Sequence, residues 1–532
     1  MTESPPKIRS LARTAGAVSV ATLISRILGL IREMVLAKYF TVFATDAFFA
    51  AFRIPNLLRD LFAEGALSAA FVPTFTEYKQ NRSRQEAWQL ANIVLNALVV
   101  ILSIVTLLIL IFAKYLVLFL VSGYAKIPGK LDLTIHLTRI MSPFLMTVAL
   151  AAAVMGILNT HGRFFTPAVA PAFFNVFSIL AGIFLSPLMP HIGQEPITAM
   201  AIGSLLGGVA QLAVQLPAVY RCGFHYEFRL DWNHPGLRRI SRLMLPAAFG
   251  LAATQINILI DNQLASYLGN GPVSWLNYAF RLMQLPIGLF GVAIATVHLT
   301  SASHQVAANN IQGLKTNLAD AIKLAAFLNI PATAGLMFLR YPIVQLLYER
   351  GRFTHEYTIY TGDALLCYSI GLFAYSLVKI VTPTFYALGD TKKPVQFSAF
   401  VILLKIAINL ALIQKLGFIG LALGTSIASL LNTGLLLNAL RKRIGGLGGH
   451  EILSTLLRIV LASLLMGAAA LYIHDWLAMR IGMDSLQQKS AVLAVTMIAA
   501  LALLMLLSYL FKVNEAKTIL GIITRKRRQI TD

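Results

Sequence analysis

Ala51-Phe52-Arg53, inside an apolar stretch of membrane-spanning length, returns as Ala279-Phe280-Arg281, so that positions 51 and 279 stand 228 residues apart. At the same offset Leu57 matches Leu285, and Leu61-Phe62 matches Leu289-Phe290. An arginine near the centre of a lipid-exposed helix costs about 2.5–3.5 kcal/mol. Two of them at matched positions of two apolar segments point to a duplicated bundle whose cationic groups face a shared interior. Many transporters are built on that plan.

The composition around this pair agrees. The chain has 532 residues, 57% of them apolar and 12% charged, with mean hydropathy +0.73. Soluble domains carry about 25% charged residues. Half that share, together with long uncharged runs, predicts an all-α polytopic membrane protein. The runs do not alternate apolar and polar residues, which excludes a transmembrane β-barrel. About fourteen segments reach the length of roughly 20 residues that a bilayer needs. The first covers about 11–37, the second 46–71, the seventh 240–267, the eighth 273–300, the tenth 360–388 and the eleventh 395–413. A last pair covers 452–476 and 491–511. The first run is too long and too rich in arginine for a cleaved signal peptide and reads as a retained helix.

The repeat reaches further than its first motif. Ala201-Ile202-Gly203-Ser204 in the sixth segment matches Ala422-Leu423-Gly424-Thr425 in the twelfth. Each unit is therefore six helices, and an even unit preserves orientation, so the two lobes are expected to be pseudo-symmetric about an axis along the membrane normal. The division expected is 1–222 for the first lobe, 223–444 for the second, and 445–532 for an added helix pair with a basic tail. Gly203, Gly207 and Gly208 should let helices approach closely.

Net charge is +22. In a soluble protein that would suggest nucleic acid, but no soluble domain is present to bind it, and cytoplasmic loops of membrane proteins collect Lys and Arg. The loops after even-numbered segments are the basic ones, with Lys79, Arg82 and Arg84, then Arg221, Arg229, Arg238, Arg239 and Arg242, then Lys392, Lys393, Arg441, Lys442 and Arg443. Both ends are basic too, through Lys7, Arg9 and Arg13 and through Arg525 to Arg528. That side carries about two dozen cations against about eight, which places it and both termini in the cytoplasm. Arg340, Arg350 and Arg352 fall on the other side. Two cysteines, Cys222 and Cys367, make neither a disulfide framework nor a thiolate metal site.

The charged residues inside the apolar segments carry the functional question. Segment one holds Arg26, Arg32 and Glu33; Arg26 and Glu33 share a helix face and Arg32 points elsewhere. Segment two holds Asp46, Arg53, Arg59, Asp60 and Glu64, with Asp46, Arg53 and Asp60 in one stripe and Pro55 as a bend. Arg281 lies in segment eight. One reading makes these internal salt bridges that fix helix packing. The other makes them a wet cationic cavity, since five arginines facing lipid would cost roughly 12–18 kcal/mol in total. The planar guanidinium fork matches phosphate or carboxylate oxygens two at a time. Asp261 in segment seven and Lys405 in segment eleven, with Asn409 one turn on, are either a structural ion pair or an ion-coupling site. His298 and His304 are expected at the surface. Gly123 to Leu131 resembles a P-loop, but its spacing is wrong and no Ser or Thr follows Lys130. No motif for an enzyme, a cofactor or a metal is found.

Residues Ser25 to Pro73 carry a resemblance. Ser25-Arg26-x-Leu28-Gly29-x-x-Arg32, Ala44-Thr45-Asp46-Ala47-Phe48-Phe49, Pro55-Asn56-Leu57-Leu58-Arg59 and Phe62-Ala63-Glu64-Gly65-Ala66-x-Ser68-x-Ala70-Phe71-Val72-Pro73 are similar to the lipid II flippase family, MurJ or MviN. Val273-Ser274-Trp275-x-x-Tyr278-Ala279-x-Arg281-Leu282 and Tyr348-x-x-Gly351-x-Phe353-Thr354 resemble it as well. The resemblance implies membership of the multidrug/oligosaccharidyl-lipid/polysaccharide exporter superfamily, and transport of undecaprenyl-diphosphate-linked peptidoglycan precursor across the bacterial inner membrane. It implies membrane lipids and other cell-wall synthesis proteins as further partners, and a groove for the polyprenyl tail along the added pair. The family's functional residues fall on Arg26, Arg32, Asp46, Arg59 and Arg281, with Arg53 at a position that is basic in the family. Phe280 departs from relatives that carry an acid there.

The function expected is therefore flipping of lipid II by alternating access, with the diphosphate on Arg26, Arg59 and Arg281. The alternatives are a flippase for another polyprenyl-diphosphate-linked oligosaccharide or an ion-coupled antiporter of the same superfamily. A drug antiporter would want acids in excess, and a polyprenyl-phosphate enzyme would want acidic metal ligands or a phosphatase-type His.

Overall fold

The computed structural model describes residues 8–60, 67–446 and 448–516, with 8–15 and 247–254 as backbone alone. Lys7, Glu64 and Arg525 to Arg528 lie outside the described residues, as do the side chains of Arg9 and Arg13. All regular structure described is helical. Two compact units divide it, one of residues 1–274 with 350–353, the other of 275–349 with 354–532.

The first unit contains α1 (Ile8–Tyr39), α2 (Val42–Arg59), α3 (Ser68–Asn81), α4 (Arg84–Val121), α5 (Lys130–Met141), α6 (Phe144–Thr160), α7 (Phe165–Leu180), α8 (Thr198–Ala213), α9 (Leu216–Tyr220) and α10 (Pro235–Ser266). The first turn of α11 (Pro272–Pro286) belongs to it, and the rest of α11 to the second unit. There follow α12 (Val292–Ala307), α13 (Ile311–Phe338), α14 (Arg340–Tyr348), α15 (His355–Ile370), α16 (Leu372–Ala387), α17 (Lys392–Leu416), α18 (Phe418–Ile444), α19 (Gly449–Ile481) and α20 (Leu486–Leu510).

Ten spans among the described residues are long and apolar enough to cross a membrane, and the bent pair α15–α16 makes an eleventh. This establishes a multi-pass membrane protein, short of the fourteen spans expected. The three expected segments not among them are the charged ones. They are helical as α1, α2 and α10, and residues 61–66 of the second lie outside the described residues.

Local chemistry sets the breaks. Ser83 caps α4 by accepting from the Glu86 N–H at 3.2 Å, the usual use of a serine at a helix start. The 40° bend between α15 and α16 falls at Gly371. There Ser426 of α18 accepts the Gly371 N–H at 3.1 Å and donates to the Cys367 carbonyl at 2.6 Å. A Cβ on Gly371 would collide with Ser426. The small-residue expectation for α8 holds as well: a Cβ on Gly207 would lie 2.8 Å from the Phe174 carbonyl of α7, and Gly208 packs on Phe144 and Thr147 of α6.

The exposed apolar side of α4 matches a bilayer in length. Its exposed large apolar residues run from Val99 to Phe119, a rise of roughly 30 Å at 1.5 Å per residue, one hydrocarbon thickness.

Candidate functional site

Helix α1 has two exposed faces of opposite character. Val20, Leu23, Ile24, Ile27 and Ile31 make an apolar stripe. Ser19, Thr22 and Arg26 are also exposed, and at 100° per residue they form a second stripe roughly 130° away. Arg26 makes no ion pair among the described residues. Its guanidinium thus leaves the helix on a polar face, away from the surface suited to acyl chains.

Arg32 behaves differently. It is buried, bonds Glu33 at 2.8 Å and stands 5.2 Å over the Phe174 ring of α7. The partner is its sequence neighbour, where the helical wheel had set Glu33 on the face of Arg26. Arg59 likewise holds its neighbour Asp60 at 2.8 Å, and Gln255 of α10 donates to the other Asp60 oxygen at 3.1 Å. Arg53 is half-buried in α2.

Asp46 is fully enclosed, with 0% exposure. One carboxylate oxygen accepts from Lys130 Nζ and from the Gly271 N–H, each at 2.7 Å. The other accepts from the Ser274 N–H at 2.8 Å and its hydroxyl at 2.6 Å. In this conformation Asp46 is a tie between α2, α5 and the first turn of α11. A carboxylate at a helix N-terminus meets the free N–H groups and the positive end of the dipole. Four donors, one of them the Lys130 cation, replace the water lost on burial, the condition under which a buried charge is tolerated.

In the second unit, Arg281 and Gln284 are exposed on α11 and Asn277 is half-buried. The three fall within roughly 60° of one another around the helix. Lys405 and Asn409 are buried one turn apart on α17, and Asn409 packs on Gly424 of α18. Asp261 is half-buried in α10, in the first unit.

Two cations carry no sequence motif that marks them. Lys130 falls in a stretch that only resembles a P-loop. A lone lysine opening a long apolar run was the available signal. Lys379 of α16 is exposed inside the bent span, in a stripe with Tyr375, Thr382 and Tyr386. His298, expected at the surface, is buried instead: its ring nitrogens bond Asn317 at 2.7 Å and Thr384 at 2.8 Å, tying α12 to α13 and α16. His304 is exposed, as expected.

Comparison with known proteins adds the family. The family model described as lipid II flippase MurJ matches residues 36–487. The protein named probable lipid II flippase MurJ of Vibrio cholerae serotype O1 is 35% identical over 522 residues, covering 96% of this chain and 98% of that one. The structure of a lipid II flippase MurJ in an inward closed conformation superposes with TM-score 0.77 at 29% identity, over 93% of this chain and 98% of that one. An inward-facing multidrug resistance MATE transporter of the MOP superfamily superposes with TM-score 0.68 at 16% identity, over 81% of this chain and 98% of that one, a likeness of fold. With a family match across most of its length, and a third of its residues shared with a relative nearly end to end, the chain belongs to the lipid II flippase MurJ family.

Proposed function

We propose that this protein moves lipid II from the cytoplasmic to the periplasmic leaflet of the bacterial inner membrane by alternating access, leaving the cargo chemically unchanged. The repeat units 1–222 and 223–444 serve as the two lobes, with 445–532 appended and both termini cytoplasmic. The observation that carries this reading is the pair of polar stripes, Ser19–Thr22–Arg26 on α1 and Asn277–Arg281–Gln284 on α11. Each sets an exposed arginine beside other polar side chains, on a helix face suited to water. A diphosphate can accept bidentate bonds from such groups.

The cations divide by role. Arg26 and Arg281 take the diphosphate, with Arg59, which holds Asp60, and Arg53 on the same helix. Arg32 and Asp46 hold the helices that present them. Lys379, with its two tyrosines and a threonine, offers a cation and hydroxyls to the sugar and peptide portion. Lys405, Asn409 and Asp261 serve packing or ion coupling. Substrate must bind both conformations with similar strength, because a strong preference for one would trap it.

The test is depletion of the protein in its host with leaflet-specific labelling of lipid II. Precursor should accumulate in the cytoplasmic leaflet. If the leaflet distribution is unchanged, the proposal fails.

A further inference from the structure

The segment joining α9 to α10 is fastened to α4 by two asparagines. Asn92 and Asn96 are one turn apart and buried. Asn92 donates to the His225 carbonyl at 2.9 Å and accepts the Glu227 N–H at 3.0 Å. Asn96 donates to the Glu227 and Arg229 carbonyls at 2.9 and 3.2 Å and accepts the Tyr226 hydroxyl at 2.8 Å. The two amides act as a neighbouring strand would, fixing an extended segment in one register. Arg84 adds a bond to the Cys222 carbonyl at 2.8 Å.

This register presents apolar rings outward. Phe228 is 76% exposed, Tyr226 56% and Trp232 49%, with Arg221 and Arg229, and a single acid Glu227 between them, exposed on the same segment. The height follows from α4. Asn96 precedes Val99, where the exposed apolar run of α4 begins, by three positions, roughly 4.5 Å along the axis. The strap therefore lies beside the end of that apolar run, the level that headgroups would occupy. Aromatic rings with a polar edge concentrate there, and basic side chains are drawn to anionic headgroups.

We infer that residues 224–232 form an interfacial membrane anchor, with Phe228 and Trp232 seated among the headgroups and Arg221 and Arg229 on anionic lipid phosphates. The anchor fixes the height of the α9–α10 connection against the bilayer, independently of any cargo.

The chain's two cysteines make the test direct. In the full chain with Cys222→Ser and Cys367→Ser, Phe228→Cys carries a nitroxide in liposomes of phosphatidylcholine with phosphatidylglycerol. Ile104→Cys and Arg82→Cys serve as hydrocarbon and aqueous references. The Phe228 label should lie between them in its relative accessibility to oxygen and to a water-soluble nickel chelate. Omitting phosphatidylglycerol, or adding Arg229→Ser, should raise nickel accessibility at least twofold. Accessibility equal to that of the Arg82 label, or a depth indifferent to both lipid charge and Arg229, overturns the inference.

Discussion

Asp46 and Ser274 stand at equivalent positions of the repeat, 228 residues apart, and bond to each other twice through Asp46 Oδ1. The second carboxylate oxygen holds Lys130, whose ammonium also bonds Asn270 at 2.9 Å and lies 4.2 Å over the Tyr124 ring. At this pair of matched positions one residue is an acceptor and the other a donor, and the two complement each other. Because Asp46 and Lys130 are both 0% exposed, the energetics are those of a buried ion pair.

Removing one partner of such a pair strands the other charge and costs about 3–5 kcal/mol, whereas replacing both costs less. Lys130→Met and Asp46→Asn should each lower the thermal unfolding midpoint in detergent sharply. The double variant should lie well above the sum of the two losses. Additive losses would show that the pair is not energetically coupled.

Asn409 and Gly424 offer a test of helix packing in the second unit. A Cβ on Gly424 would sit inside the Asn409 amide oxygen. Gly424→Ala should destabilise by about 1–3 kcal/mol through overpacking. Adding Asn409→Ala should return most of that loss by making room. A Gly424→Ala variant as stable as the parent would show that α17 and α18 can separate without cost.

Much of this architecture was legible in the sequence because lipid is a strict solvent. Apolar runs of bilayer length, loop charge and the Arg53/Arg281 repeat gave the fold class without any tertiary information. Partners were not legible. A helical wheel gives the angle of Glu33 but not the reach of Arg32, which bends to its neighbour. Nothing periodic links Asp46 to Lys130, 84 residues on, since the tie arises only when α2 and α5 pack. His298 was misplaced for the same reason, its burial depending on Asn317 and Thr384 arriving from two other helices.

His161 closes α6 in a stack with Trp88, ring centres 5.3 Å apart, and Nδ1 lies 2.9 Å from the Ile157 carbonyl. Burial holds its pKa below the ordinary 6.5, with Lys79, Arg84 and Arg163 adding to the effect against the carbonyl contact. Folding therefore favours the neutral ring. Its contribution is complete above pH 6.5 and is lost as pH falls through the lowered value. Unfolding midpoints measured from pH 8 to pH 5 should decline on the acid side, and His161→Gln should flatten that decline. An unchanged slope would assign it to other groups.

Arg26 and Arg32 separate binding from packing most cleanly, six residues apart on one helix. Arg26 is exposed with no ion pair among the described residues, so Arg26→Ala should shift stability by no more than about 0.5 kcal/mol yet abolish flipping in reconstituted liposomes. Arg26→Lys should keep the charge but lose the bidentate fork, leaving partial activity. Arg32→Ala strips the buried Glu33 of its guanidinium and should lower stability by about 3 kcal/mol or more. Its activity loss should therefore be partly recovered by Glu33→Gln. Recovery of Arg26→Ala by the same Glu33→Gln change would instead place Arg26 among the packing residues and remove it from the substrate site.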